Sequence, residues 1–386
     1  MVLLFTVLVI LAAVKPLVRL VLAAEARVAG LSLDYGSLEI GWGSATLSEV
    51  VLAPIGVRGL AVRIDRVDVD FSGVTPSRVK ARNVEIVAET TVFDLVTDLA
   101  RWSSAHPTPL DVPISAPSVR IEAHEAGAPS WLTMEQGVLT AYQHSAVLRA
   151  GNATAGGVAI ARPIVSWATR GSSLTLGYGA EDPNAAPVRL DVTGGSARSA
   201  KLTVRDVSLA DLGLSVGMRG PINKARVDGT LDLSDPTATT PLRGTLRASV
   251  RGLSIAHPRE LDGVLSTEAY TLAATLEVAA DRSRVHASDV VVTVGALRLG
   301  GSGDLARGPG YATAKAALHG ALSCSAIVRS AATADLGHLL GGIAGTLAGG
   351  AVGGEVSIDV AVDADTRDPT SPHVRPNVGV GCGLRL

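Results

Sequence analysis

Across 386 residues, 34 basic side chains nearly balance 36 acidic ones, so no basic surplus draws the chain to nucleic acid or anionic lipid as its main partner. Hydrophobic residues make up 47% but aromatics only 3%, so a core must be assembled from Val, Leu, Ile and Ala, which favour thin pleated layers. Arg exceeds Lys and Ala is abundant, which reads as the codon bias of a GC-rich genome before it reads as phosphate recognition.

The chain opens with VLLFTVLVILAAVKPLVRLVLAA over residues 2–24, about the length that crosses ~30 Å of hydrocarbon as a helix. Lys15, Pro16 and Arg19 interrupt it, so the two cations must reach toward one interface. A single-pass anchor over residues 1–26 is the expectation. A cleaved leader is the rival, since Ala24-Glu25-Ala26 has the small-x-small form of a processing site.

Beyond the anchor one eight-residue pattern recurs: apolar, any, apolar, two polar or small residues, apolar, any, apolar. Its copies are ATLSEVVL (45–52), VRIDRVDV (62–69), VKARNVEI (79–86), ISAPSVRI (114–121), LTVRDVSL (202–209), ASVRGLSI (248–255) and VHASDVVV (285–292). The first three begin 17 residues apart, and the fourth 35 further on, close to two such periods. Strand side chains alternate with period 2, so two consecutive polar positions throw the later apolar residues onto the opposite parity. A bulge or bend at that point, Asp65-Arg66 in the second copy, returns both halves to one face. The pattern therefore predicts long strands kinked at mid-length, stacked antiparallel into a bent sheet with an apolar trough. At this period the chain supplies roughly 20 strands and a trough of about 90 Å. An ordinary β-sandwich with bulged strands is the alternative.

Two stretches read as helix. Val92 to Ala105 places Val92, Phe93, Val96, Leu99 and Trp102 at helical spacing, as a plug or cap on the sheet. Residues 331–350 are rich in Ala, Leu and Gly, with Gly341, Gly345, Gly349 and Gly353 at four-residue intervals, suited to close helix approach or to a flexible linker. Cys324 and Cys382, the only cysteines, bracket this stretch. In an oxidising compartment a bridge would pin the C-terminus; two reduced, buried thiols are the other reading. The expected organisation is an anchor (1–26), a repetitive β domain (27–322) and a Gly-rich helical segment with a terminal strand (323–386).

Signals for chemistry are weak. Gly213-Leu-Ser215-Val-Gly217 matches the nucleophile elbow, but Gly220-Pro221 and the alternation that follows oppose the helix this turn requires. The eight His residues are scattered without ligand spacing, so no metal, no cofactor and no enzyme activity is expected.

An anchor followed at once by LSLDYGSLEIGWGSATLSEVVL (31–52) and by repeats of the type V-x-I-D-x-V-x-V resembles AsmA-like proteins and their TamB-type relatives, of the repeating β-groove class. The resemblance covers residues 1–90 best and 200–305 more weakly; residues 125–200 and the C-terminal part do not share it. It implies a single-pass bacterial inner-membrane protein with its bulk in the periplasm, whose groove shields phospholipid acyl chains in transport or envelope assembly. This chain is short for that family, so an envelope protein at the distal end is an expected partner. Leu47, Val50, Ile64, Val67, Ala81, Val84, Val204, Val207, Val290 and Val292 would then line the trough. If the same residues instead close a sandwich core, the protein is a structural scaffold of the envelope.

Overall fold

The computed structural model describes residues 20–73, 75–90, 92–106, 110–125, 130–143, 145–155, 158–170, 173–193, 198–208, 225–235, 241–252, 269–279, 283–308, 311–328, 352–365, 367 and 373–384. Most of the N-terminal apolar run, the Ser215 motif and residues 331–350 lie outside these. Among the described residues, 22 strands make the chain all-β, and no helix is long and apolar enough to cross a membrane. The chain divides into two compact units at Ser199/Ala200.

In the first unit the first described element is helix α1, over residues 20–28. The unit continues through β1 (Leu31–Asp34), β2 (Ser37–Gly41), β3 (Ser44–Pro54), β4 (Leu60–Ser72), β5 (Thr75–Glu89), helix α2 (Val92–Ala105), β6 (Leu110–His124) and β7 (Leu132–Gln143). Shorter strands follow: β8 (Ser145–Arg149), β9 (Asn152–Ala155), β10 (Val158–Ala161), β11 (Ile164–Arg170), β12 (Ser173–Tyr178) and β13 (Val188–Thr193). β1 and β2 share one side of β3, after which β3, β4 and β5 run antiparallel.

The expected antiparallel sheet is here mixed. β5 and β6 pair parallel, with Val79 opposite Ile114 and Val84 opposite Val119. The 35-residue spacing between the third and fourth copies is therefore not two strand periods. Parallel neighbours need a crossover of a dozen or more residues, and α2 supplies it. Val96, Ala100 and Ser103 recur at helical spacing on the buried side of α2, which packs against β11, β12 and β13. Trp102 Nε1 donates to the Gly30 carbonyl at the head of β1 (2.8 Å), and Arg58 after β3 pairs with the buried carboxylate of Asp98 (3.3 Å). α2 thus bridges the first and last strands of the unit.

The bend predicted by the phase change is present and aligned across neighbouring strands. Ser48 pairs with Arg66 and Val50 with Ile64, while Arg66 pairs with Arg82 and Ile64 with Val84. Glu49, Asp65 and Asn83 are left facing one another outside the ladder, and Asn83 Nδ2 donates to Asp65 Oδ2 (2.9 Å). Glu49 (φ 55°), Asn83 (φ 51°), Asp206 (φ 48°), Gly252 (φ 70°) and Asp289 (φ 49°) are left-handed, each at the fifth position of its copy. Asn, Asp and Gly are the residues that tolerate this conformation best; Glu49 is the exception. Gln136 (φ 55°) makes a further bend in LTMEQGVL (132–139), hidden from the pattern because Gly137 replaces its sixth apolar residue.

The second unit contains β14 (Arg198–Ser208, from Ala200), β15 (Arg226–Asp235), β16 (Leu242–Arg251), β17 (Ala269–Val278) and β18 (Arg284–Val294). β19 (Leu297–Gly308), β20 (Tyr311–Ser323), β21 (Val352–Asp365) and β22 (His373–Leu384) complete it. From β15 to β22 each strand pairs antiparallel with the next. In β18 the register shifts between Ala287 and Val290, leaving Asp289 as an extra residue that returns Val290 and Val292 to the face of Val285 and Ala287.

Candidate functional site

The two units use their apolar faces differently. In the first, Leu47, Val50, Ile64, Ala81 and Val84 are only 3–8% exposed and belong to one cluster with Val119, Met134 and Leu148; half-buried Val67 packs against it. Val62, Ile64, Val67 and Val69 all join this cluster, so both halves of the kinked strand face the same way. Side chains buried to this degree are a core, with little surface to offer a ligand.

In the second unit the alternation builds a continuous row instead. Gly229 lies opposite Ala248, Ala248 opposite Leu272, Leu272 opposite Val292 and Val292 opposite Leu299. Leu299 then faces Gly320, Gly320 faces Ile358 and Ile358 faces Val378. Eight strands at 4.7–4.9 Å spacing give the row a width of about 33 Å. A second row runs alongside through Leu231, Leu246 and Ala274, then through Val290, Gly301, Leu318 and Val360.

Most of these side chains are half-buried, and the outermost are open, with Val378 56% and Val380 74% exposed. Of the residues expected to line a trough, Val204 and Val292 are half-buried here, whereas Val207 and Val290 are buried. The opposite face is polar: Asp228, Ser249, Thr271, Thr293, Arg298, Ala321 and Ser357 form the adjacent row.

Cys324 and Cys382 are joined by a disulfide, with Cα atoms 5.7 Å apart. Ser323 pairs with Glu355 and Gly354 with Cys382, so the bridge reaches from the end of β20 across β21 to β22. Gly354 lies beneath it at φ 95°, where a Cβ would collide with the Gly381 carbonyl. Cys324 is fully buried and Cys382 exposed.

Electrostatics follows the bends. Asp228 lies below the usual carboxylate range because the Asp206 backbone N–H donates to it and Arg251 pairs with it, against the opposing effect of burial. Burial would raise the Asp68 carboxyl, but hydrogen bonds from Arg66 and Thr46 and the charges of Arg66 and Arg82 hold it low. Among the described residues no group of three His, Cys, Asp or Glu side chains is placed to hold a metal. The partly buried apolar face of the second unit is the feature best suited to an apolar ligand. Compared with protein-family models, curated proteins and solved structures, the chain matches none.

Proposed function

We propose that the chain is a non-enzymatic lipid-shielding protein of a bacterial cell envelope, held by its N-terminal segment in the inner membrane, with its bulk in the periplasm. The partly buried apolar face running from Gly229 to Val378, open at its Val378 edge, carries this reading. Its edge exposes Val374, Val378 and Val380 to water, and each acyl methylene laid on such apolar surface gains ~0.8 kcal/mol. The AsmA-like resemblance of the sequence supports the same assignment, as does a disulfide, which persists in an oxidising compartment. Phospholipid is the ligand, and an envelope protein at the distal end is the expected partner.

The packed cluster of the first unit favours a second reading for that part alone: Leu47, Val50, Ile64, Ala81 and Val84 serve as the core of a structural base. The full chain, purified from an expressing bacterium, should carry phospholipid detectable by native mass spectrometry and lipid extraction. Val292→Asp or Ile358→Asp should remove that lipid while the β circular dichroism persists. A folded wild-type protein that emerges free of lipid would refute lipid carriage and leave a scaffold for the envelope.

A further inference from the structure

On the polar side of the second unit, the side away from the apolar row, the sheet holds a depression of about 550 Å³. Arg205, Arg247, Thr203, Thr230, Ser249 and Thr271 contribute to its wall, together with Asp228. Strand alternation places these residues on one face: Thr230 is opposite Arg247, and Asp228, Ser249 and Thr271 follow in register. β14 is tied beside β15 by the Asp206 N–H on Asp228 and by Arg226 on Asp206.

The charges around it do not balance. Asp206 receives Arg226 and Arg251, and Asp228 receives Arg251 and the Asp206 N–H, so both carboxylates are taken. The neighbouring acids Asp232 and Glu277 are engaged by Lys201 and Arg243. Arg205 and Arg247 have no ion-pair or hydrogen-bond partner among the described residues. Four guanidinium groups (Arg205, Arg226, Arg247, Arg251) thus meet two carboxylates (Asp206, Asp228), an excess of two positive charges in a chain whose formal net charge is -2. Arg205 on β14 and Arg247 on β16 flank β15 with no carboxylate of their own among the described residues, and an anion between them offsets that surplus of positive charge.

We propose that this depression is a binding site for a phosphate group, the two free guanidinium groups taking its oxygens and the Thr and Ser hydroxyls donating around them. The planar fork of each guanidinium matches the spacing of phosphate oxygens, and hydroxyls can donate wherever an oxygen remains. The group is carried either by a phospholipid headgroup presented at a membrane surface or by a small soluble phosphate. The site is independent of the acyl-shielding face on the other side of the sheet.

The test uses the full-length protein and two probes: inorganic phosphate by isothermal titration calorimetry, and phosphatidylcholine vesicles with and without phosphatidylglycerol by co-sedimentation. Saturable phosphate binding, weakened at least tenfold by Arg205→Gln with Arg247→Gln and unchanged by Arg375→Gln, supports a soluble phosphate. Binding to phosphatidylglycerol vesicles that exceeds the binding to phosphatidylcholine alone, with the excess lost in the double substitution, supports the lipid headgroup; equal binding to both vesicle types, without saturable phosphate binding, counts against the site. No binding of either probe, or binding indifferent to the double substitution while circular dichroism shows an intact fold, overturns the proposal.

Discussion

Replacing Cys382 with serine should release the terminal strand while leaving the rest of the second unit folded. Among the described residues β22 pairs only with β21, and its residues from His373 to Cys382 are exposed, so the ladder and the bridge are what hold it. The bridge closes a 58-residue separation. With β20 and β21 still paired, the chain freed runs the 17 positions from Asp365 to Cys382 (382 minus 365), for which the chain-entropy relation gives about 3 kcal/mol, or about two decades in an opening equilibrium. Hydrogen exchange read by mass spectrometry on the 373–384 peptide measures this directly. Protection in Cys382→Ser, and in wild type after reduction, should fall by up to about a hundredfold in β22, with β16 to β18 unchanged. If β22 stays as protected without the bridge as with it, the ladder alone suffices and the argument that Cys382 fastens an otherwise weak edge is wrong.

Asn83→Val should destabilise the first unit by about 2 kcal/mol in urea unfolding, because a β-branched residue resists the left-handed bend and the bond to Asp65 is lost. Asn83→Gly should cost less, and equal costs would exclude backbone conformation as the cause. Asp68 has a depressed folded-state pKa, so its contribution is present above the unfolded value near 3.9 and is lost as pH falls through the lower folded value. Asp68→Asn should therefore reduce the acid-induced loss of stability below about pH 4, measured as urea midpoints against pH; an unchanged pH slope would show that Asp68 is not linked to folding.

Much of the local architecture was legible in the residues because it depends on side-chain parity alone. Two polar positions between apolar pairs demand a bend if both pairs share a face, and Asn83, Asp206, Gly252 and Asp289 occupy that bend with residues suited to positive φ. The helix at Val92–Ala105 was legible for the same kind of reason, an apolar stripe at helical spacing. The phosphate-site arginines were not, since Arg205 and Arg247 stand 42 positions apart (247 minus 205) and no motif links them; abundant Arg reads as composition until the fold brings both to the wall of one depression.

Sequence by itself therefore determined the strand class, the kink and which side chains share a face, because these follow from periods of two or four residues along the chain. Tertiary structure alone decided that β6 returns parallel beside β5, that α2 bridges the two ends of the first unit, and that the same Val-rich pattern is sealed as a core in one unit and left half-open in the other. Those outcomes depend on which distant strands meet and what covers them, and an alternating pattern is identical whether its apolar face meets a helix, another sheet or a lipid.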